Sequence, residues 1–243
     1  MRAKRSVVKN SLLDLSRSLY KHHKEKPIIL IDEYDTPIHE AYIGKYYEKT
    51  ISFFRAFLGA GLKDNPNIYK GVLTGILRVA KESIFSDMNN LGVYSLLHPK
   101  FSDKFGLTEE EVFSLLKYYN EEDKIKNVRA WYNGYIFGKN TIYNPWSIIN
   151  YAANVEVGEI PYWVNTSSNS LIQDIFKNSD SGIKKEMYDL LKDMPVTKKI
   201  EENIAFEYLE ENESILYSFL LFSGYLKAYK CKTMEDEQYC KLQ

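Results

Sequence analysis

No apolar run in this 243-residue sequence approaches the roughly 18 residues that a membrane-spanning helix requires. The start, MRAKRSVVKNSLLDLSRSL, is basic and then amphipathic, without the continuous apolar stretch of a secretory signal. An excess of one charge is also missing. Lys and Arg total 32 against 33 Asp and Glu, a formal net charge of −1, so no overall field draws the molecule to nucleic acid or to an anionic membrane. Cysteine is scarce. Cys231 and Cys240 match no common zinc spacing, have no accompanying His pair, and read as two reduced thiols of a cytoplasmic protein. There is no internal repeat and no low-complexity tract.

Aromatics, by contrast, are plentiful, with 20 Tyr and 12 Phe. They read as core and half-buried surface, because one ring buries a large area and no interleaved basic stripe marks a base-stacking platform. An apolar fraction of 44% allows a sizeable core in one large domain or two small ones.

Residues 6–24 place Val8, Leu12, Leu15 and Leu19 at helical spacing with polar residues between them, which predicts an amphipathic helix. Lys26-Pro27 ends it, since a residue before proline leaves the α region. Ile28-Ile29-Leu30-Ile31 follows as four branched apolar residues without alternation, which predicts a strand covered on both faces. The run stops at Asp32-Glu33-Tyr34-Asp35. Three carboxylates in four residues cannot stay unpaired in a dry interior, so they belong where the chain leaves the sheet. In open parallel α/β sheets that edge binds ligands.

Residues 44–62 carry Ile51, Phe54, Leu58 and Leu62 as a helical stripe, and Asp64-Asn65-Pro66-Asn67 breaks it. Residues 68–77, IYKGVLTGIL, read as a second buried strand. Strand, helix and strand within about 50 residues make a βαβ unit with parallel strands. A loop or short helix is expected around Lys81–Asp87 and a short strand near Val93–Leu97. Thr108 with Glu111 forms a capping box before Val112, Leu115, Leu116 and Tyr119. Further helices are expected over Asp123–Tyr132, from Pro145 to Ala153, and over 167–179, 181–192 and 212–222, with a short strand around Gly224–Lys230. The fold class is therefore α/β: a partial P-loop-like parallel sheet followed by a mainly helical C-terminal lid, divided near residue 105 into 1–105 and 106–243.

A buried strand ending in Asp-Glu is the Walker B pattern. A nucleotide-bound Mg²⁺ needs a carboxylate held rigidly near its water shell, the place of Asp32, and Glu33 can polarise the water that attacks the γ-phosphate. Thr74-Gly75 ends the next parallel strand at the same sheet edge, where a small polar residue can sense that phosphate. Arg78 and Lys81 follow and could bring positive charge to it. The plainer alternatives are a locally bonded Thr74 hydroxyl and a surface salt bridge from Arg78 to Asp32 or Asp35.

Ile31-Asp32-Glu33-Tyr34-Asp35-Thr36-Pro37 resembles the signature of the bacterial AAA-ATPase-like family, whose members often carry a C-terminal nuclease domain of the PD-(D/E)XK type. Similar segments follow in order: residues 74–86, TGILRVAKESIFS; 89–91, NNL; 105–112, FGLTEEEV; 131–135, WYNGY; 143–146, YNPW; 162–167, YWVNTS; and 222–226, FSGYL. The resemblance implies a P-loop fold with a helical lid. It implies Asp32 and Glu33 as catalytic residues, Asp32 as the metal carboxylate, Thr74 and Arg78 toward the nucleotide, and Mg²⁺ and ATP as cofactors of the intact family member. Nucleic acid enters as a partner through the associated nuclease domain.

The departure from that pattern is the absence of any G-x-x-x-x-G-K-[ST]. Gly59-Ala60-Gly61-Leu62-Lys63 sits at a helix end and reads as a helix terminator. Only 27 residues precede Ile28, and one helix fills most of them, so the phosphate half is expected to be missing through truncation. This chain alone is then expected not to bind Mg-ATP and to self-associate or await the missing segment. Two further readings are a non-catalytic binding module for nucleic acid or protein, and a metal-dependent nuclease using Asp32, Glu33 and Asp35. Against the latter, no Asp…Glu-x-Lys core stands in strand context; Glu121-Glu122-Asp123-Lys124 reads as a solvated helix start.

Overall fold

In the computed structural model, the described residues are 5–76, 78–79, 84–85, 88, 91–132, 134–162, 180–204 and 212–243. They form a mixed α/β protein with small sheets. The chain divides into two compact units, one of Met1–Gly92 with Lys199–Ser223, the other of Val93–Lys198 with Gly224–Gln243.

In the first unit, the expected opening helix occurs as α1 (Arg5–Lys9) and α2 (Ser11–His23). Lys24 closes α2 in the left-handed conformation, its N–H donating to the Tyr20 carbonyl, two residues before Lys26-Pro27. Strand β1 (Ile28–Ile31) leads through the acidic turn into α3 (Thr36–Ile43), which the sequence reading did not foresee. Then come α4 (Tyr47–Leu62) and β2 (Lys70–Leu73). Helix α4 crosses α2 closely enough that a Cβ on Gly61 would collide with Leu12. Beside this crossing, the buried Asn65 side chain donates to Ser16 Oγ at 3.0 Å and to the Gly61 carbonyl at 2.7 Å.

Strands β1 and β2 pair in parallel, with Ile28 opposite Lys70 and Ile31 opposite Leu73. The expected parallel βαβ order is therefore present, but β2 stops at Leu73, short of Leu77. The expectation of cover on both faces is corrected. Ile29 is buried, yet Ile28 is 56% and Leu30 74% exposed. Two strands supply one covered face only; a second layer would be needed for the other. A separate parallel pair joins β3 (Arg78–Val79) to β8 (Asn203–Ile204), so no single continuous sheet forms among the described residues. Helix α9 (Glu213–Phe222), capped by Asn212, buries Ile215, Leu216, Tyr217, Phe219, Leu220 and Leu221 in this unit.

The second unit contains β4 (Leu107–Thr108), α5 (Glu109–Tyr118), α6 (Ile125–Trp131), β5 (Tyr135–Phe137), β6 (Asn140–Tyr143), α7 (Pro145–Ala153), α8 (Ser181–Leu190), the first three residues of β7 (Val196–Ile200), β9 (Ala228–Met234) and β10 (Glu237–Leu242). The capping box holds as read: Thr108 Oγ1 accepts from Glu111 N at 3.3 Å, and Thr108 N donates to Glu111 Oε2 at 2.8 Å. Asn144 caps α7, with Pro145 in its first turn. The expected helix start at 121–124 is a 3₁₀ turn over Glu122–Lys124. Helix packing closes a core of Val112, Leu116, Val128, Tyr143, Ile148, Tyr151 and Ala152.

After residue 105 the described helices are accompanied by seven short strands, β4 to β10. Strands β4, β6 and β5 make one antiparallel sheet, and β9 and β10 pair as an antiparallel hairpin with β7 beside β10. Glu235 (φ 50°) and Asp236 (φ 65°) turn the β9–β10 hairpin, both left-handed, as a two-residue turn that suits the strand twist requires. Directly opposite each other on this hairpin, Cys231 and Cys240 form a disulfide, with Cα atoms 4.1 Å apart. That corrects the reading of two reduced thiols. The expected strand near Val93–Leu97 is irregular backbone. The expected helix over 167–179 and the segment around Lys81 lie outside the described residues.

Candidate functional site

Parallel pairing puts the C-terminal ends of β1 and β2 side by side, so Asp32 and Thr74 leave the sheet together. Thr74 N donates to the Ile31 carbonyl at 2.9 Å, which continues the ladder one step past the strands. Tyr34 N donates back to the Thr74 carbonyl at 3.0 Å. The Thr74 hydroxyl donates to Asp32 Oδ1, and the same carboxylate oxygen accepts the Glu33 N–H at 3.1 Å. Glu33 N also approaches Thr74 Oγ1 at 3.4 Å. Asp32, Glu33 and Thr74 thus converge at one sheet edge.

The local sequence explains the turn. Glu33 adopts φ 49°, a left-handed conformation uncommon for a residue with a Cβ. Its carboxylate stays exposed, and Oε2 accepts from the Thr36 hydroxyl at 3.4 Å. Asp35 is the N-cap residue of α3, and Pro37 lies in the first turn of that helix. Asp35 is buried, as is Tyr34, whose ring meets Phe85 edge-on at 5.3 Å. Gly75 makes this packing possible: a Cβ there would stand 2.5 Å from Asp35 Oδ1 and 2.9 Å from Tyr34 Cε1.

The three carboxylates therefore divide by environment. Asp32 and Glu33 face solvent, while Asp35 turns inward. Among the described residues no group of three His, Cys, Asp or Glu side chains is placed to hold a metal ion. The exposed carboxylates of Asp32 and Glu33 are oxygen donors of the kind that Mg²⁺ takes beside water and phosphate oxygens. Arg78 lies in β3, its backbone opposite Asn203, and its side chain and Lys81 fall outside the described residues. Beside the acidic turn, an open groove of about 520 Å³ runs over α3 and α4, bordered by Thr36, Glu40, Lys49, Phe53 and Phe54.

The sequence reading named Asp32, Glu33 and Thr74. It missed the fit of Gly75 against Asp35, for which the only signal was glycine directly after the strand-terminal threonine.

A parallel strand pair with an acidic turn, within a mixed α/β protein, defines the class; comparison with known proteins narrows it. Residues 2–85 match the family described as predicted AAA-ATPase, and that segment contains Asp32, Glu33, Thr74 and Arg78. The chain is also similar to a curated protein of Azotobacter chroococcum mcd 1, described as an uncharacterized protein in the vnfD 5' region, at 28% identity over 163 residues. The match takes in 67% of this chain and 31% of that relative, so the chain spans about a third of the relative's length. No solved structure matches. No helix among the described residues is long and apolar enough to cross a membrane.

Proposed function

We propose that the chain carries the acidic half of a Mg-nucleotide site of AAA type. Asp32 would hold the water shell of Mg²⁺, and Glu33 would orient and polarise the attacking water. Thr74 would report the γ-phosphate to both, and Arg78 would add positive charge. The observation that supports this most is the Thr74 hydroxyl donating to Asp32 at the shared end of two parallel strands, where Glu33 N–H meets the same oxygen. Bound Mg²⁺ and ATP would supply the electrophilic phosphoryl group. The chain's own contribution is to fix Asp32 by two donors and to leave the Glu33 carboxylate in solvent.

The phosphate-holding half is absent from the sequence as a motif. Backbone N–H groups of a Gly-rich loop and its lysine normally neutralise the β- and γ-phosphates, and without them the acidic turn has too few donors to hold a triphosphate. The residues of this chain therefore supply an inactive half-site, which needs a phosphate-binding loop beside it to hold a nucleotide. The nuclease reading is set aside because buried Asp35 cannot join Asp32 and Glu33 on one exposed cation.

Terbium luminescence, sensitised by neighbouring tyrosine, tests the metal role without requiring activity. Weak binding displaced by Mg²⁺ is expected for the wild-type chain and is expected to vanish in Asp32→Asn. Equal binding in Asp32→Asn would sink the assignment.

A further inference from the structure

The segment 93–106 of the second unit has no regular secondary structure, yet it is held firmly. Gly138 N donates to the Leu96 carbonyl at 2.7 Å. Asn140 Nδ2 donates to the buried Ser102 Oγ at 2.9 Å, and that hydroxyl donates to the Pro99 carbonyl at 2.8 Å. Gly138, at φ 55°, sits so close that a Cβ there would be 3.1 Å from Pro99 Cα. The β5–β6 turn therefore clamps this loop from beneath.

What the clamp presents is aromatic and cationic. Tyr94, Phe101 and Phe105 are 45%, 44% and 59% exposed. The Tyr94 ring meets Phe101 edge-on at 5.0 Å and His98 edge-on at 5.2 Å. Lys100 Nζ lies over the Tyr94 ring, 4.8 Å from its centroid, and over the Phe101 ring at 5.1 Å, and donates to the Tyr94 hydroxyl at 3.2 Å. Phe101 adopts φ 69°, a conformation that costs a bulky residue energy and that the clamped loop imposes. Exposed Lys104 and Lys139 add positive charge, part of which is offset by Asp103, paired to Lys104 at 2.8 Å, and by Glu111, whose charge also reaches Lys104.

We propose that this loop is a docking site for single-stranded nucleic acid, with bases stacked on Tyr94 and Phe101 and phosphates drawn to Lys100, Lys104 and Lys139. Every base has a π-face, so the part of the Tyr94 and Phe101 rings that Lys100 leaves in solvent accepts any sequence, and the lysines supply a salt-sensitive attraction. An acidic peptide would satisfy the lysines but would leave the ring faces without a stacking partner. The site uses none of the residues of the acidic turn, so its success or failure is independent of the ATPase reading.

The test is fluorescence anisotropy of a labelled oligothymidylate with the full chain at low salt. Phe101→Gly is the decisive variant, because glycine accepts the left-handed backbone and only the ring is lost. Expected results are a loss of affinity of about tenfold in Phe101→Gly, with an unchanged or raised melting temperature. Lys100→Ala is expected to reduce the salt slope by about one, and Lys185→Ala on α8 to bind like wild type. No binding by the wild-type chain would overturn the proposal, as would wild-type affinity in Phe101→Gly. Displacement of the oligonucleotide by polyglutamate, with Phe101→Gly weakening both ligands equally, would overturn it in favour of an acidic protein segment.

Discussion

The Thr74 hydroxyl donates to the Asp32 carboxylate across the C-terminal ends of adjacent parallel strands, 42 positions apart in sequence. Because the Glu33 N–H shares that oxygen, the bond orders both a carboxylate and the turn that carries its neighbour. Thr74→Val should lower stability by about 0.5–1.5 kcal/mol. In a double-mutant cycle with Asp32→Ala, which removes the acceptor, urea denaturation should return a coupling energy of the same order. Additive single effects would show that the two side chains act separately.

Gly75→Ala should destabilise the chain by about 1–3 kcal/mol, since the new methyl must displace the buried Asp35 carboxylate or the Tyr34 ring. The same substitution at Gly59, where a Cβ meets nothing, should be neutral or stabilising because it removes glycine from a helix interior. Midpoints of urea denaturation compare the two directly.

Acid should weaken the second unit through Glu109. Arg129 donates to both of its oxygens, at 3.0 and 2.6 Å, and Tyr143 adds a third bond at 3.2 Å. The hydrogen bonds from Arg129, aided by its charge, hold the Glu109 carboxyl below the ordinary value of 4.5 and raise Arg129 in turn. A carboxylate whose folded pKa is depressed contributes stability that is complete above its unfolded pKa and is lost as pH falls through the folded one. Stability should therefore decline from just above pH 4.5 downward. Glu109→Gln should flatten that limb and cost up to about 1 kcal/mol at neutral pH, as read from denaturation midpoints across pH. An acid limb unchanged in the variant would assign the loss to other carboxylates.

Leu30, 74% exposed on β1 beside exposed Ile28 and Val72, should make the isolated chain associate with itself. Sedimentation should detect concentration-dependent oligomers, and Leu30→Lys should shift them toward monomer. A wild-type chain that sediments as a monomer at all concentrations, with a cooperative melt, contradicts this.

The legible parts were those where local chemistry and tertiary need agree. The Thr108–Glu111 box and the Asn144-Pro145 start carry their own hydrogen-bonding logic, and both helices begin there. Asp32 and Thr74 were found because an apolar run that ends in charge must end at a sheet edge. The β9–β10 hairpin was harder, since its turn uses Glu235 and Asp236 at positive φ where glycine or asparagine usually gives the signal. The Cys231–Cys240 pair depends on that hairpin's register and could not be seen without it. Ile28 and Leu30 misled for the opposite reason: their apolarity calls for a covering layer that the β1–β2 pair does not provide.

Calorimetric titration of Mg-ATP into the full chain tests the central claim most directly. An acidic half-site without a phosphate loop predicts no Mg-ATP binding tighter than about 1 mM, or about −4 kcal/mol. Binding at micromolar Kd would contradict it, because the chain would then hold the phosphates without the loop whose absence defines the half-site.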